Sequence, residues 1–201
     1  MLEKELLRET ALLQRSQLQM DDYLDKSSRA ANRLMLWKAF SDATSVLLYA
    51  SKEREVFTHA LIRDCLKSGK KVALPRANRL SQTIELYAIK SFEDLSEGSY
   101  GILEPFADKN RSVEVYECDF AVIPGACFDQ NGFRIGYGKG YYDKLLAGMR
   151  DSGRICALAF ESQLVHAVPH ESFDVPADFI FTENRIIDCA MKRKKSAKEQ
   201  A

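Results

Sequence analysis

The chain predicts an α/β protein: a three-layer, Rossmann-like fold with a mostly parallel sheet and helices on both faces. Three observations carry that prediction. Short, nearly continuous apolar runs such as SVLLYAS (45–51), KVALPR (71–76) and RICALAF (154–160) suit strands buried on both sides. Helix-patterned segments alternate with them, as parallel strands require. Polar residues fall just after strands, where ligands collect in such sheets: Glu55, Arg76 and the 129–143 segment.

The elements follow in order. Residues 2 to about 20 read as a helix on which Lys4, Arg8 and Arg15 fall within about 40° of one another, with Leu2, Leu6 and Leu13 opposite. Such a helix can bury its leucines and present a basic stripe, or the stripe can be a solvated face. A second helix is expected from Ser28 to Phe40, after a Ser-rich capping segment. The strand at 45–51 leads to a helix at 55–69, stopped by Gly69. The next strand, 71–76, is expected to end at Pro75, and TIELYAIK (83–90) alternates as a strand near a sheet edge would. SFEDLSEG opens with a capping Ser followed by Asp three residues on, the mark of a short helix. DFAVIPGACF (119–128) is the most apolar strand, broken at Pro124-Gly125, and DQNG (129–132) is a tight turn. A final strand is DFIFTEN (178–184). Residues 1–190 make one domain, and 191–201 read as a basic, polar, disordered tail.

Bulk composition narrows the function classes. With 46% hydrophobic and 29% charged residues, the 201-residue chain has the balance of a soluble globular protein. Lys+Arg and Asp+Glu both number 29, so no global field draws nucleic acid or an acidic membrane. No apolar run approaches the roughly 18 residues of a membrane span, and MLEKELLRET lacks the apolar core of a signal peptide. The five cysteines show neither a CxxC nor metal-ligand spacing, which points to reduced thiols and a cytoplasmic setting.

The stretch most able to carry chemistry is Arg134–Asp143, RIGYGKGYYD. Gly136, Gly138 and Gly140 alternate around Lys139, and YYDKLLAGM reads as the start of a helix. Glycines let backbone N–H groups turn inward around an anion, and a helix start adds further donors. The segment is neither a Walker loop nor a GxGxxG dinucleotide loop, because Gly140 follows Lys139 and Tyr141 replaces the last glycine.

Each side chain here has a functional and a plainer role. The Lys139 ammonium suits phosphate, and the cleared space around it favours that over a solvent-facing lysine. Arg134 can clamp phosphate or sit in a surface hairpin. Asp143 can favour a helix dipole or bind a hard cation. Asp174 and Asp178 can supply a second oxygen or serve as turn residues. Tyr141 and Tyr142 can stack on a ring or pack a helix, and Glu55 can begin a helix or accept from an amino-substituted heterocycle.

Taken together, VIPGACFDQNGFRIGYGKGYYDKLL resembles the signature of the 5-formyltetrahydrofolate cyclo-ligase (methenyltetrahydrofolate synthetase) family. Lys4 with Arg8, SKEREVFT, LPR at 74–76 and DVPADFIFTEN match that family's order along nearly the whole chain. The resemblance implies ATP- and Mg2+-dependent conversion of 5-formyltetrahydrofolate to 5,10-methenyltetrahydrofolate, with ADP and phosphate released. It implies a nucleotide site made of Lys4, Arg8 and the loop residues Arg134, Gly136, Tyr137, Gly138, Lys139, Gly140, Tyr141 and Tyr142. It further implies catalytic roles for Lys139, Arg134 and Tyr141, and substrate contacts from Ala50, Glu55, Tyr137, Lys139 and Tyr141. Asp143 and Asp178 are implied as metal ligands. The expected protein is a monomer with a small-molecule folate substrate, no nucleic acid and no membrane. Phe57 and Phe173 stand where many relatives carry polar residues, which bears on folate-tail preference. Two other readings compete: a non-catalytic nucleotide or folate binder on the same scaffold, and a sugar-phosphate enzyme of similar build.

Overall fold

Alternate residues of the central strands point to opposite faces, and both faces are covered. The computed structural model describes residues 2–98, 101–138, 140–149 and 153–199. Its helices and strands are, in chain order, α1 (Leu2–Ser16), α2 (Met20–Leu36), α3 (Lys38–Ser41), β1 (Ser45–Leu47), α4 (His59–Lys67), β2 (Lys71–Asn78), β3 (Thr83–Ile89), β4 (Leu95–Glu97) and β5 (Leu103–Pro105). There follow β6 (Ser112–Val113), β7 (Phe120–Ile123), β8 (Cys127–Phe128), β9 (Arg134–Ile135), α5 (Tyr141–Leu146), β10 (Arg154–Leu158), β11 (Phe179–Phe181), β12 (Ile186–Asp188) and α6 (Cys189–Glu199).

The main sheet has eight strands in the order β12-β11-β10-β7-β1-β2-β3-β6. Strands β11, β10, β7, β1 and β2 run parallel; β12 at one edge and β3 near the other run against them, and β6 at the far edge pairs antiparallel with β3. The sheet is therefore mostly parallel, as its apolar runs predict. Val46, Leu48, Val72 and Val122 enter a core with Leu34, Phe40, Leu61 and Ile62 from α2, α3 and α4. Leu47, Ala73, Ala121 and Ile123 enter a second core with Phe128, Leu146 of α5 and Cys189 of α6. Helices on both faces complete the three layers. All five cysteines are free and buried, four in these cores and Cys127 in a smaller cluster under α1, and burial pushes the thiol pKa of Cys65, Cys118 and Cys189 up to about 12 and that of Cys127 to about 11.

Several boundaries differ from the sequence reading, each for a local reason. Helix α2 begins at Met20, with Asp21 and Asp22 in its first turn, while Ser27 is buried inside it and accepts from the Phe57 N–H at 3.0 Å. Helix α4 starts only at His59. The residues before it form a loop closed by reciprocal bonds, Ser51 N–H to Thr58 Oγ1 at 3.0 Å and Thr58 N–H to Ser51 Oγ at 3.1 Å. Strand β2 continues through Pro75 to Asn78. Its pairing with β1 ends at Ala73, so the missing Pro75 N–H lies where only β3 is a neighbour. The expected short helix after β3 is a single 3-10 turn at Phe92–Asp94 with a Ser91/Asp94 capping box.

Two corrections concern the chain ends. Helix α1 turns its basic stripe inward, and Leu2, Leu6 and Leu13 are exposed by 87%, 65% and 61%; its apolar contacts come from Leu7 and Ala11 on Cys127, Ile135 and Val168. Helix α6 runs over Cys189–Glu199 and so takes in most of the 191–201 stretch expected as a disordered tail. Arg193 anchors that helix, donating to the Ala177 carbonyl at 2.8 Å and to Asp178 Oδ1 at 3.2 Å, and Asp188 Oδ1 accepts from the Met191 N–H at 2.8 Å. Among the described residues no helix is long and apolar enough to cross a membrane.

Candidate functional site

The site is built where α1 lies across the glycine loop and the segment after β1. Lys4 Nζ donates to Asp174 Oδ2 at 3.3 Å. One turn on, Arg8 Nε donates to the Gly136 carbonyl at 2.9 Å. Two turns further, Arg15 donates to the Gly125 carbonyl at 3.4 Å and to Tyr137 Oη at 2.9 Å, and the whole residue is only 2% exposed. The 3.6-residue period thus aims three cations at one strip of the protein body.

The glycine loop leaves β9 and enters α5. Gly138 and Gly140 have φ of +93° and +62°, a region that L side chains rarely adopt. The nearest atom to a Cβ added at Gly138 would be Arg8 Nη2 at 3.6 Å, which places that guanidinium over the loop. Helix α5 has six residues, so its macrodipole is short. Lys139 lies outside the described residues.

Arg134 faces inward. Its Nη1 donates to the Val175 carbonyl at 2.7 Å and its Nη2 to Asp143 Oδ1 at 2.8 Å, with the side chain 5% exposed. Burial draws the guanidinium pKa down, and Asp143 is the largest force opposing it. The same Asp143 oxygen accepts from the Val175 N–H at 3.2 Å. Asp143 therefore belongs to a clamp between α5 and the segment before β11.

Asp178 has different partners. It precedes β11, and its carboxylate accepts from the Ile155 N–H at 3.0 Å and from Arg193. That is the amino-end edge of the parallel strands, opposite to the edge at which Tyr49 and Ala50 leave β1. Asp143 and Asp178 share no partner, and among the described residues no group of three or more His, Cys, Asp and Glu side chains could hold a metal. The acidic residue beside the clamp is instead Asp174, one position before Val175 and paired with Lys4.

At the other end of the loop, Tyr137 Oη donates to Glu55 Oε1 at 2.9 Å while accepting from Arg15. Glu55 Oε2 accepts from the Lys52 N–H at 2.9 Å, and the residue is 6% exposed. Burial raises the Glu55 carboxyl pKa above the usual range, against the Lys52 and Tyr137 hydrogen bonds and the Arg15 charge. Burial, with the Glu55 charge next, pushes the Tyr137 hydroxyl up to about 12. Ala50 is buried beside Tyr49, and Glu55 closes the same loop. Tyr142 packs on the core that includes Leu146, while Tyr141 is half-buried.

The structure thus joins Lys4, Arg8, Arg134, Tyr137, Asp143 and Glu55 into one region and leaves Asp178 apart. Two residues outside the predicted site prove central to its build. Arg15 was legible as the third member of the basic stripe. Gln163 had no sequence signal: its buried amide donates to the Gly125 and Ala126 carbonyls, both at 2.9 Å, and accepts from the Phe160 N–H at 2.8 Å. It fixes the turn on which Arg15 rests.

Comparison with known proteins agrees with this architecture. The model of the 5-formyltetrahydrofolate cyclo-ligase family matches residues 1–183. The 5-formyltetrahydrofolate cyclo-ligase of Haemophilus influenzae is 31% identical over a stretch covering 67% of this chain and 73% of that one. The mouse protein of the same name is 25% identical over 83% of this chain and 87% of its own. The NMR structure of Aquifex aeolicus 5,10-methenyltetrahydrofolate synthetase superposes with a TM-score of 0.82 at 31% identity, covering 92% of each chain.

Proposed function

The chain belongs to the 5-formyltetrahydrofolate cyclo-ligase family, and on that footing we propose that it cyclises 5-formyltetrahydrofolate to 5,10-methenyltetrahydrofolate at the expense of ATP. The observation that carries this reading is the junction at Tyr137: a loop suited to phosphate ends on a buried carboxylate suited to a heterocycle, through one 2.9 Å hydrogen bond. Nucleotide and folate then meet at residues 134–143.

The reaction divides into three steps. The formyl oxygen on N5 attacks the γ-phosphorus of ATP, and the bond to ADP breaks with its electron pair leaving on ADP. N10 then attacks the formyl carbon, closing a five-membered ring and giving up its proton. Finally the carbon–oxygen bond breaks, phosphate leaves with the electron pair, and the methenyl cation remains. Such chemistry needs alignment and charge neutralisation more than a nucleophilic side chain.

In this reading Lys4, Arg8 and Lys139 balance the triphosphate charge, and the amides of Gly136, Gly138 and Gly140 cradle it. Ala50, Glu55, Tyr137 and Tyr141 contact the folate. Arg134 acts by holding the loop, since its guanidinium is engaged by Asp143 and Val175. Mg2+, when bound, supplies further charge neutralisation at the phosphates. One protein carboxylate suits an ion held mostly by phosphate and water, and Asp143, at the start of α5, is that carboxylate. Asp178 does not fit as its companion, because both its oxygens are engaged, Oδ2 by Ile155 and Oδ1 by Arg193, whereas Arg134 and Val175 share Oδ1 of Asp143. The same reading makes the protein a cytoplasmic monomer without a nucleic-acid partner, in line with balanced charge and five free thiols.

The test is a spectroscopic assay. Protein incubated with Mg-ATP and 5-formyltetrahydrofolate should develop the ultraviolet absorbance of the methenyl product, with one ADP released per product. Folded protein that binds both ligands and forms no product would favour the non-catalytic binder.

A further inference from the structure

Arg15 is the least expected feature of the site. It is a guanidinium, 2% exposed, and no carboxylate of the described residues lies within ion-pair distance of it. A buried charge of this kind needs a counter-charge and full hydrogen bonding. Its hydrogen-bonded route to a carboxylate runs through a phenol: Arg15 Nη2 donates to Tyr137 Oη at 2.9 Å, and Tyr137 Oη donates to Glu55 Oε1 at 2.9 Å. Both bonds are directional, because a phenol has one proton to give and Glu55 takes it. Guanidinium, phenol and carboxylate thus form one neutral unit joining α1, the glycine loop and the loop after β1. The second Arg15 arm rests on the Gly125 carbonyl, which Gln163 also holds.

We propose that Arg15 is a positioning residue for the reaction: through Tyr137 it fixes the glycine loop against Glu55, and so sets the distance between the phosphate cradle and the folate. The inference rests on the activity proposed above. Arg15 touches neither ligand in this scheme. Its work is done on Tyr137, a half-exposed residue that Glu55 alone would otherwise hold. Without the guanidinium, the phenol keeps one partner and the loop loses its tie to α1 at this end, with Arg8 on Gly136 remaining.

The groups that face Glu55 determine what a pH experiment reads. They are Arg15 from α1, Tyr23 from α2, Tyr49 after β1, Glu53 and the Lys52 N–H from its own loop, Tyr137 from the glycine loop and Tyr142 from α5. Arg15 is the only cation among them whose charge lowers the Glu55 pKa.

The experiment is a double-mutant cycle on the full chain with Arg15→Gln, Tyr137→Phe and the pair, read by steady-state kinetics across pH and by the carboxyl titration of Glu55 in 13C NMR. Arg15→Gln should raise KM for 5-formyltetrahydrofolate by about tenfold, the order of one lost hydrogen bond to a charged group, and move the Glu55 titration and the acid limb of kcat/KM to higher pH. Adding Arg15→Gln to Tyr137→Phe should cost far less than it costs alone. Arg15→Lys should restore the titration while recovering KM only in part, since ammonium keeps the charge and loses the fork. Additive effects, or a folded Arg15→Gln with unchanged KM and titration, would overturn the proposal. If Arg15→Gln does not fold, Arg15→Lys decides: wild-type KM overturns the role, raised KM at an unmoved titration supports it. Wild-type protein without turnover would instead defeat the activity reading, and the NMR titration would still judge the Arg15–Tyr137–Glu55 unit.

Discussion

Arg134 and Asp143 meet at 2.8 Å, and both also bond to Val175, the guanidinium to its carbonyl and the carboxylate to its N–H. Two side chains on either side of the glycine loop thereby grip one peptide residue of the segment before β11. The loop is a bridge with both ends fastened, not a free flap.

Removing the acid should therefore cost stability as well as activity. Asp143→Ala leaves a guanidinium that is 5% exposed without its counter-charge, and should destabilise by roughly 3 kcal/mol, the order for breaking a buried pair from one side. Urea unfolding reads this as a lower midpoint at unchanged slope. Asp143→Asn keeps an acceptor, should lose less stability, and should weaken the magnesium dependence of turnover.

Helix α1 makes an opposite and equally sharp prediction. Leu6 and Leu13 are exposed by 65% and 61%, so Leu6→Gln and Leu13→Gln should stay within about 0.5 kcal/mol of wild type and leave kcat/KM intact. A drop in melting temperature beyond that range would mean that α1 buries its leucines after all.

Gly132 has φ of +90°, and a Cβ there would lie 2.1 Å from the Ala177 carbonyl oxygen. Backbone, not a flexible side chain, blocks the space. Gly132→Ala should destabilise by at least about 2 kcal/mol through strain and forced displacement, measured by calorimetry.

Glu55 supplies a pH test. Burial raises its pKa, so the folded protein takes up this proton at higher pH than the unfolded chain does. The group is without penalty below the unfolded value of about 4.3, and it costs stability as pH rises through the folded pKa. The stability of Glu55→Gln relative to wild type should therefore shift in the variant's favour over that window, whatever the fixed offset. A flat difference across pH would show that Glu55 titrates normally. Folate affinity at neutral pH should fall in the same variant.

Lys139→Ala should slow turnover at least about tenfold, the change expected from losing about 1.4 kcal/mol of transition-state stabilisation. Rapid-mix and steady-state rates on folded protein check it, and wild-type kinetics would remove Lys139 from the mechanism.

Much of this fold was legible because its strands are buried on both faces: runs such as KVALPR need no partner to declare themselves. The glycine loop was legible for the same kind of reason, since φ values of +93° and +62° at Gly138 and Gly140 are demands on sequence. What escaped was decided by tertiary contact. The 3.6-residue period separates the leucines of α1 from its basic residues, but which side faces inward depends on the Gly136 and Gly125 carbonyls and on Asp174, far away in the chain. Ser27 reads as part of a capping segment until the Phe57 N–H is seen to need it. The tail becomes helix because Arg193 finds Asp178. That contact also separates Asp178 from Asp143, which spacing alone could not reveal.

The five sequestered thiols give the molecule its own reporter of opening. They sit on α4, before β7, on β8, on β10 and at the start of α6, so a thiol-directed reagent can reach each one only when its neighbourhood comes apart. Mass-resolved labelling under native conditions would time those excursions site by site. Cys127 lies beneath α1, beside Ala11, and slower labelling there when nucleotide is added would mark tightening of that helix without any engineered probe.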